Sequence, residues 1–254
     1  MQGRRGILPP RLFYDQVAST QMVALSLAHE GAGHGTAVVS EMQVQGRGRE
    51  GRTWISPRGG AYASVVLHPR WQGLPLLSMA VGAELAVRLG AWSRETLQIK
   101  WPNDLVVPRE RSPTGYAKVG GILTDVVSED PEAPLVVVGV GINVRPDRAA
   151  FPPDMEGRVT FLWDLGDGSY APSDVVEAAL EAILVAARRV REETGRRWVL
   201  GEVERRLWGR GRRFMSEKGE GVLEGISVFG EARLKTPKGE EVCIGEGELL
   251  PQGP

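Results

Sequence analysis

The 254-residue chain predicts an α+β protein: a mixed β-sheet with helices packed on one face, followed by a small all-β module. Three observations predict it. Short β-branched runs recur between positions 36 and 142, with a single helical stretch among them. Two long apolar-periodic stretches then fill 173–208. Beyond Gly211 the helical period vanishes, and short strand-like runs alternate with Gly, Lys and Pro turns.

The elements follow in order. After a Pro-rich start, Ser19-Thr20 is a helix-cap signal, and an apolar helix runs to about His29, closed by Gly31 and Gly33. Positions 36–42 are β-branched and apolar, hence a strand. That strand feeds Gly46-Arg47-Gly48-Arg49-Glu50-Gly51-Arg52-Thr53-Trp54. This stretch is a loop, because glycine costs a regular element about 0.5–1 kcal/mol each against alanine. A second strand covers 61–68, and a helix covers 75–89 with its stop at Gly90. Short strands follow at 96–100, 104–107, 118–127 and 135–140, with a polar turn at 108–116. Amphipathic helices are expected over 173–194 and 197–208. In the last module the runs 221–228, 231–235 and 241–244 are strands, and Pro237-Lys238-Gly239 is a hairpin turn. The change of texture divides the chain into domains 1–210 and 211–254. A module of roughly 40 residues is near the lower limit of independent stability and should pack on the larger domain.

Composition narrows the partners. With 42% hydrophobic and 25% charged residues and a net charge of −1, the chain is no electrostatic match for nucleic acid. No apolar run nears the length of a membrane span or a secretory leader, so no membrane partner is expected. The single cysteine, Cys243, excludes an intrachain disulfide and a Cys-based zinc site, and fits a reducing cytoplasm. The tryptophans Trp71, Trp92, Trp163, Trp198 and Trp208 are read as packing.

Four motifs carry chemistry. The Gly/Arg loop, preceded by Gln43, concentrates fixed positive charge, bare backbone N–H groups and one flat ring, Trp54. The others are Lys100-Trp101-Pro102-Asn103-Asp104, Lys118-Val119-Gly120-Gly121-Ile122-Leu123 and Gly139-Val140-Gly141-Ile142-Asn143. The chain has only two asparagines, Asn103 and Asn143, and only five lysines. Both asparagines and two of the lysines, Lys100 and Lys118, fall in these motifs. Taken singly, each motif also reads as a turn, a bulge or a packing contact. Together they point to a site for a small anion bearing an aromatic ring, such as a nucleotide.

In that combination and order, with Ser19-Thr20 ahead of them, the motifs resemble those of the biotin protein ligases. The long helices and terminal β-module match that family's plan as well. The resemblance implies a fold like that of class II aminoacyl-tRNA synthetases with an SH3-like C-terminal barrel. It implies an ATP-dependent biotin–[acetyl-CoA-carboxylase] ligase of the form lacking an N-terminal DNA-binding domain. Biotin and ATP with Mg²⁺ would form biotinyl-5′-AMP and pyrophosphate. Biotin would then pass to a lysine of the biotin carboxyl carrier protein of acetyl-CoA carboxylase, with no tightly bound prosthetic group. The alternatives are a lipoate or octanoyl ligase or transferase of the same superfamily, a biotin-responsive repressor, and a non-catalytic biotin binder. Monomer and homodimer both remain open.

By position in the motifs, the resemblance puts Ser19, Thr20, Gln43, Gly46, Arg47, Lys118 and Gly121 on biotin. It puts Arg49, Arg52, Trp54, Lys100, Asn103 and Asn143 on the nucleotide. Lys118, Arg49, Asp104 and Arg47 would carry the catalysis: Lys118 bridges biotin's carboxylate and the α-phosphate, Arg49 guards the adenylate, and Asp104 positions or helps deprotonate the incoming lysine. The metal ligands are unassigned. Asp125 stands where the family usually has Glu.

Overall fold

Strand pairing begins where the sequence is most β-branched. β2 (Ala37–Ser40) is buried at every residue because it has neighbours on both sides. β3 (Ala61–Leu67) pairs with it antiparallel, and β1 (Arg11–Tyr14) pairs with it in parallel. β1 is mostly exposed, so no apolar alternation marks it in the sequence. The computed structural model describes residues 9–69, 71–130 and 133–252, and residues 1–8, read above for a leader, lie outside them.

The sheet is completed by β4 (Gln98–Lys100), β5 (Asp104–Pro108), β6 (Tyr116–Ser128) and β7 (Leu135–Ile142). It has seven strands in the order β1-β2-β3-β7-β6-β5-β4, so β7 crosses back to the centre. Both Gly-rich motifs, on β6 and β7, therefore lie side by side in the middle of the sheet.

Helices cover both faces, not the single face expected from the sequence. α1 (Thr20–His29) sets Ala24 and Ala28 against Val38, Val66 and Val137. On the opposite face α4 (Pro172–Arg189) packs over β3 and β7, α2 (Leu77–Leu89) over β4, β5 and β6, and α5 (Glu193–Arg206) against both helices and β4, with Ala63, Val65, Val138 and Val140 in the shared core. The short α3 (Leu162–Leu165) adds Leu162 and Leu165 to the same core. The reason is strand alternation: successive valines of β2, β3 and β7 point to opposite sides, so each face needs its own cover. The stretch Leu74–Trp92 is long and apolar enough to cross a membrane by composition, but 61% of that window is buried inside the protein.

The long helix ends sooner than its sequence period implies, at Arg189. Val190 is fully buried, and the chain then turns so that Gly195 seats on the Arg189 carbonyl, where a Cβ would come within 2.2 Å of that oxygen. Glu193 and Thr194 thus belong to α5.

The last strands form a second, antiparallel sheet: β8 (Arg213–Ser216), β9 (Gly219–Ile226), β10 (Ala232–Lys235), β11 (Glu241–Ile244) and β12 (Leu250–Pro251). Its order is β11-β10-β9-β8-β12. Phe214, Leu223, Leu234 and Ile244 share one continuous core with Val203 and Trp208. Trp101, buried beside the second motif, donates from Nε1 to the Gly230 carbonyl at 2.9 Å. Both contacts tie this sheet to the first.

Candidate active site

The α1 face of the sheet is covered at one end only. At the other end the Gly/Arg loop folds over β6 and β7, enclosing a cavity of about 320 Å³. Twelve residues singled out by sequence line it besides Gln43: Ser19, Thr20, Arg47, Arg49, Arg52, Trp54, Lys100, Asn103, Asp104, Lys118, Gly121 and Asn143. Gly46 does not. Its bare Cα faces protein, where a Cβ would lie 2.3 Å from the Trp54 carbonyl and 2.5 Å from Ser56 Oγ. The loop folds back on itself there, with Trp54 N–H donating to the Gly46 carbonyl at 2.8 Å.

One end of the cavity is a row of neutral polar groups. Gln43 Oε1 accepts from the Thr20 N–H at 2.8 Å, and Gln43 Nε2 donates to Ser56 Oγ at 2.8 Å, so its amide orientation is set. Gln21 Nε2 donates to Asp125 Oδ2 at 3.0 Å and to the Val137 carbonyl at 3.1 Å, which sets the second amide. Between the two amide oxygens stand two hydroxyls: Thr20 Oγ1 is 3.1 Å from Gln43 Oε1 and 2.9 Å from Ser64 Oγ, and Ser64 Oγ is 3.0 Å from Gln21 Oε1. Two hydroxyl protons serve three contacts, so the row is one proton short and favours an incoming N–H donor. Ser19, at the start of α1, adds a buried hydroxyl with no partner among the described residues. It holds the N-cap position, but its side chain makes no capping bond.

This row depends on Gly139, where a Cβ would lie 2.4 Å from Gln21 Oε1 and 3.1 Å from Ser64 Oγ. Replacing Gly139 by alanine is expected to destabilise the fold by about 1–3 kcal/mol through overpacking. A calorimetric Tm lowered by about 2–4 °C per kcal/mol is the readout, and an unchanged Tm would mean that Gln21 moves aside freely.

The other end is cationic. Arg47, Arg49, Arg52, Lys100, Lys118 and Arg158 all line the cavity. Lys118 Nζ lies 2.7 Å from Asp104 Oδ1 and 4.9 Å from the centre of the Trp54 ring. Lys118 and Gly121 face the cavity together only because β6 carries a bulge. Lys118 is opposite Val106, while Gly120 and Gly121 are opposite Leu105 and Asp104. The extra residue, Val119, shifts the alternation by one. Gly121 leaves space that Lys118 Cε and Trp54 occupy: a Cβ there would be 3.3 Å and 3.5 Å from them. The Trp54 indole also lies flat on Gly141, where a Cβ would be 2.4 Å from its Nε1.

Glu50 sits in the left-handed region at φ 55, a conformation that costs a non-glycine residue about 1–2 kcal/mol. Its carboxylate lies 3.1 Å from Arg52 Nη2 and 3.9 Å from Arg49 Nη2, which gives this acidic residue a place in a basic loop. Lys100, only 4% exposed, and Arg52 both reach Glu248 on the second sheet. Burial opposes ionisation of Glu248, yet the bond from Arg52 and the charge of Lys100 hold its carboxyl below the usual range. Tyr116, also on the wall, is pushed up to about 12 by burial, with Asp104 and Glu248 adding to the effect.

A third part of the wall is flat and apolar, made by Trp54, Phe151, Met155 and Val159 around Asn143. Asn143 Nδ2 donates to the Lys118 and Thr160 carbonyls at 3.4 and 3.3 Å. This leaves its Oδ1, an acceptor, for a ligand. Asn103 Nδ2 is committed to the Ile122 carbonyl at 2.7 Å, so it holds the second motif onto β6.

Phe151, Met155 and Arg158, the Gln21–Ser64 pair and Glu248 were not visible to sequence reasoning. The first three lie in an irregular segment whose composition resembles any loop. Gln21 and Ser64 carried one usable signal, a polar residue within an otherwise apolar element.

Comparison with known proteins places the chain in a family. The model of the biotin/lipoate A/B protein ligase family matches residues 13–143. The bifunctional ligase/repressor BirA of Bacillus subtilis is 35% identical over 156 residues, covering 59% of this chain and 45% of that protein. The biotin–[acetyl-CoA-carboxylase] ligase of Paracoccus denitrificans is 32% identical over 154 residues, 58% of this chain and 61% of that protein. The chain thus spans about half the length of the curated relatives it matches. Among solved structures, the biotin protein ligase of Aquifex aeolicus in complex with biotin and ATP superposes with a TM-score of 0.78 at 28% identity, covering 96% of this chain and 98% of that one. The family model covers more than half of the sequence, including most of the strands that wall the cavity, and the chain belongs to the biotin/lipoate A/B protein ligase family.

Proposed function

We propose that the chain is an ATP-dependent biotin protein ligase. It joins biotin to ATP as biotinyl-5′-AMP with release of pyrophosphate. It then transfers biotin to a lysine of the biotin carboxyl carrier protein of acetyl-CoA carboxylase, releasing AMP. The observation that carries this reading is one cavity with a proton-short polar row at one end, a cation cluster at the other, and Lys118 paired to Asp104 among the cations.

The polar row suits a cyclic urea. Its two N–H groups meet the surplus acceptors among Thr20, Ser64 and Gln43, and its carbonyl can accept from the spare Ser19 hydroxyl. The valerate carboxylate then lies toward Lys118. Attack of that carboxylate on the α-phosphate brings anion to anion, which fixed cations make feasible. Lys118 neutralises both, and Arg47 adds a guanidinium that makes no ion pair among the described residues. Arg52 and Lys100 take the pyrophosphate end.

Adenine fits the flat wall, stacked with Trp54 and Phe151. The Asn143 Oδ1 acceptor selects adenine's exocyclic amine over guanine's carbonyl at the same position. Among the described residues no group of three or more His, Cys, Asp or Glu converges, so a Mg²⁺ ion would be held mainly on the phosphates, with a carboxylate such as Asp104 beside it. Such an ion supplies further charge stabilisation at the phosphates. Once the acyl phosphate forms, Lys118 is drawn to the phosphate. Asp104, released from it, can then accept a proton from the acceptor lysine amine, which attacks the anhydride carbonyl. The Gly/Arg loop shields the anhydride from water.

The test is direct. Protein given biotin, ATP and Mg²⁺ should exchange labelled pyrophosphate into ATP in a biotin-dependent manner and should label a carrier domain. Lipoate should do neither. Exchange supported by lipoate, or no labelling of a competent acceptor, would overturn the reading.

A further inference from the structure

We infer that Glu248 is a built-in rival of the nucleotide's polyphosphate: a carboxylate on a glycine-hinged strap of the C-terminal sheet that holds Arg52 and Lys100 and yields them when polyphosphate binds. The inference rests on the ATP-dependent reading above and adds a residue and a moving part to it.

The geometry is specific. Glu248 Oε2 lies 2.8 Å from Arg52 Nη2, and Oε1 lies 3.6 Å from Lys100 Nζ. Arg49 Nη1 donates to the neighbouring Gly247 carbonyl at 3.4 Å. Three cations of the cavity wall are thus engaged by two adjacent residues of a segment nearly 150 to 200 positions later in the chain. A carboxylate and a phosphate oxygen seek the same donors with the same sign of charge. They cannot both be held by one guanidinium and one ammonium without repulsion, so binding of either weakens the other.

The segment is built to let go. Ile244, at the end of β11, is fully buried, and Leu249, just before β12, is 2% exposed. Between these anchors run Gly245-Glu246-Gly247-Glu248. Gly247 has φ 88 with nothing within 4 Å of a Cβ, and Gly245 has only the Glu231 side chain near it. The four residues can therefore rotate without disturbing either anchor. Release exposes Lys100 and Arg52 to the phosphates and frees the Gly247 contact with Arg49. This links the occupancy of the phosphate end to the position of the second sheet's edge.

Titration calorimetry with sodium pyrophosphate, at fixed Mg²⁺, reads the competition, and biotin titrated separately serves as the control for an intact site. Glu248→Gln keeps the size and hydrogen-bonding oxygen but removes the charge. Pyrophosphate should bind the variant about three- to tenfold more tightly than wild type, and the KM for ATP should fall while biotin affinity stays the same. In wild type, hydrogen exchange at the amides of Gly247 to Leu249 should speed up on adding pyrophosphate. This second readout decides the matter if the variant fails to fold. Weaker or unchanged pyrophosphate binding by Glu248→Gln, or protection of the strap in wild type, overturns the inference while the ligase reading stands. A wild-type protein that binds neither pyrophosphate nor ATP overturns both.

Discussion

Replacing Lys118 by alanine should lower biotin-dependent pyrophosphate exchange by about 10²–10³-fold, the range seen when one donor to a developing anion is removed. The loss should appear in kcat for adenylate formation, with little change in the KM for the carrier. The ammonium is placed by a bulge in a central strand, 2.7 Å from Asp104 Oδ1 and 4.9 Å from the Trp54 ring. Alanine removes the charge that offsets two anions and leaves Asp104 without its partner, which adds repulsion to the loss. Lys118→Arg should recover only part of the rate, because a planar fork does not fit the space of a compact ammonium. Single-turnover formation of the adenylate is the measurement. If alanine raised only the KM for the carrier and left adenylate formation within tenfold of wild type, the role given to Lys118 would be wrong.

The second large effect concerns retention. Arg49→Gly should shorten the lifetime of bound adenylate by about 10–100-fold, the value of one charge-assisted hydrogen bond of about 1.5–3 kcal/mol. Arg49 reaches across the loop to the Gly247 carbonyl and lies near Glu50, so it joins the loop to the C-terminal strap over the cavity. Glycine cuts that join and adds a further flexible residue to a loop already rich in them. Adenylate released to solution acylates any exposed amine, so lysines of a bystander protein should become biotinylated. Unaltered acceptor selectivity, with unaltered adenylate release in a filter-binding chase, would count against a guarding role.

Much of the fold was legible because alternation and turn chemistry are local. β3, β5, β6, β7 and α1 all lie within a few residues of their sequence-based positions. β1 escaped because an exposed edge strand leaves no apolar pattern. The second face of helices escaped because a run of valines is buried on both sides and does not say which side α1 will take. In the site, the family-like motifs meet on one cavity, with the exception of Gly46, whose missing side chain serves the loop's own backbone. Thr20 and Gln43 stood out through the motifs, but Gln21 and Ser64, which complete their row, did not, since each is an ordinary polar residue until the sheet and α1 meet.

By itself the sequence determined the chemistry of the parts. It showed a flexible cationic loop ending in an indole, two retained lysines, two lone asparagines, and glycine-rich runs at 118–123 and 139–143. These follow from composition and spacing, which act over a few residues. Tertiary structure decided how the parts face one another. A one-residue bulge turns Lys118 and Gly121 to the same side, where a regular strand would send them to opposite sides. Packing of the second sheet carries Glu248 to Arg52, 196 positions away, and to Lys100. Register and long-range docking arise only when distant surfaces are buried together, and no local pattern encodes them.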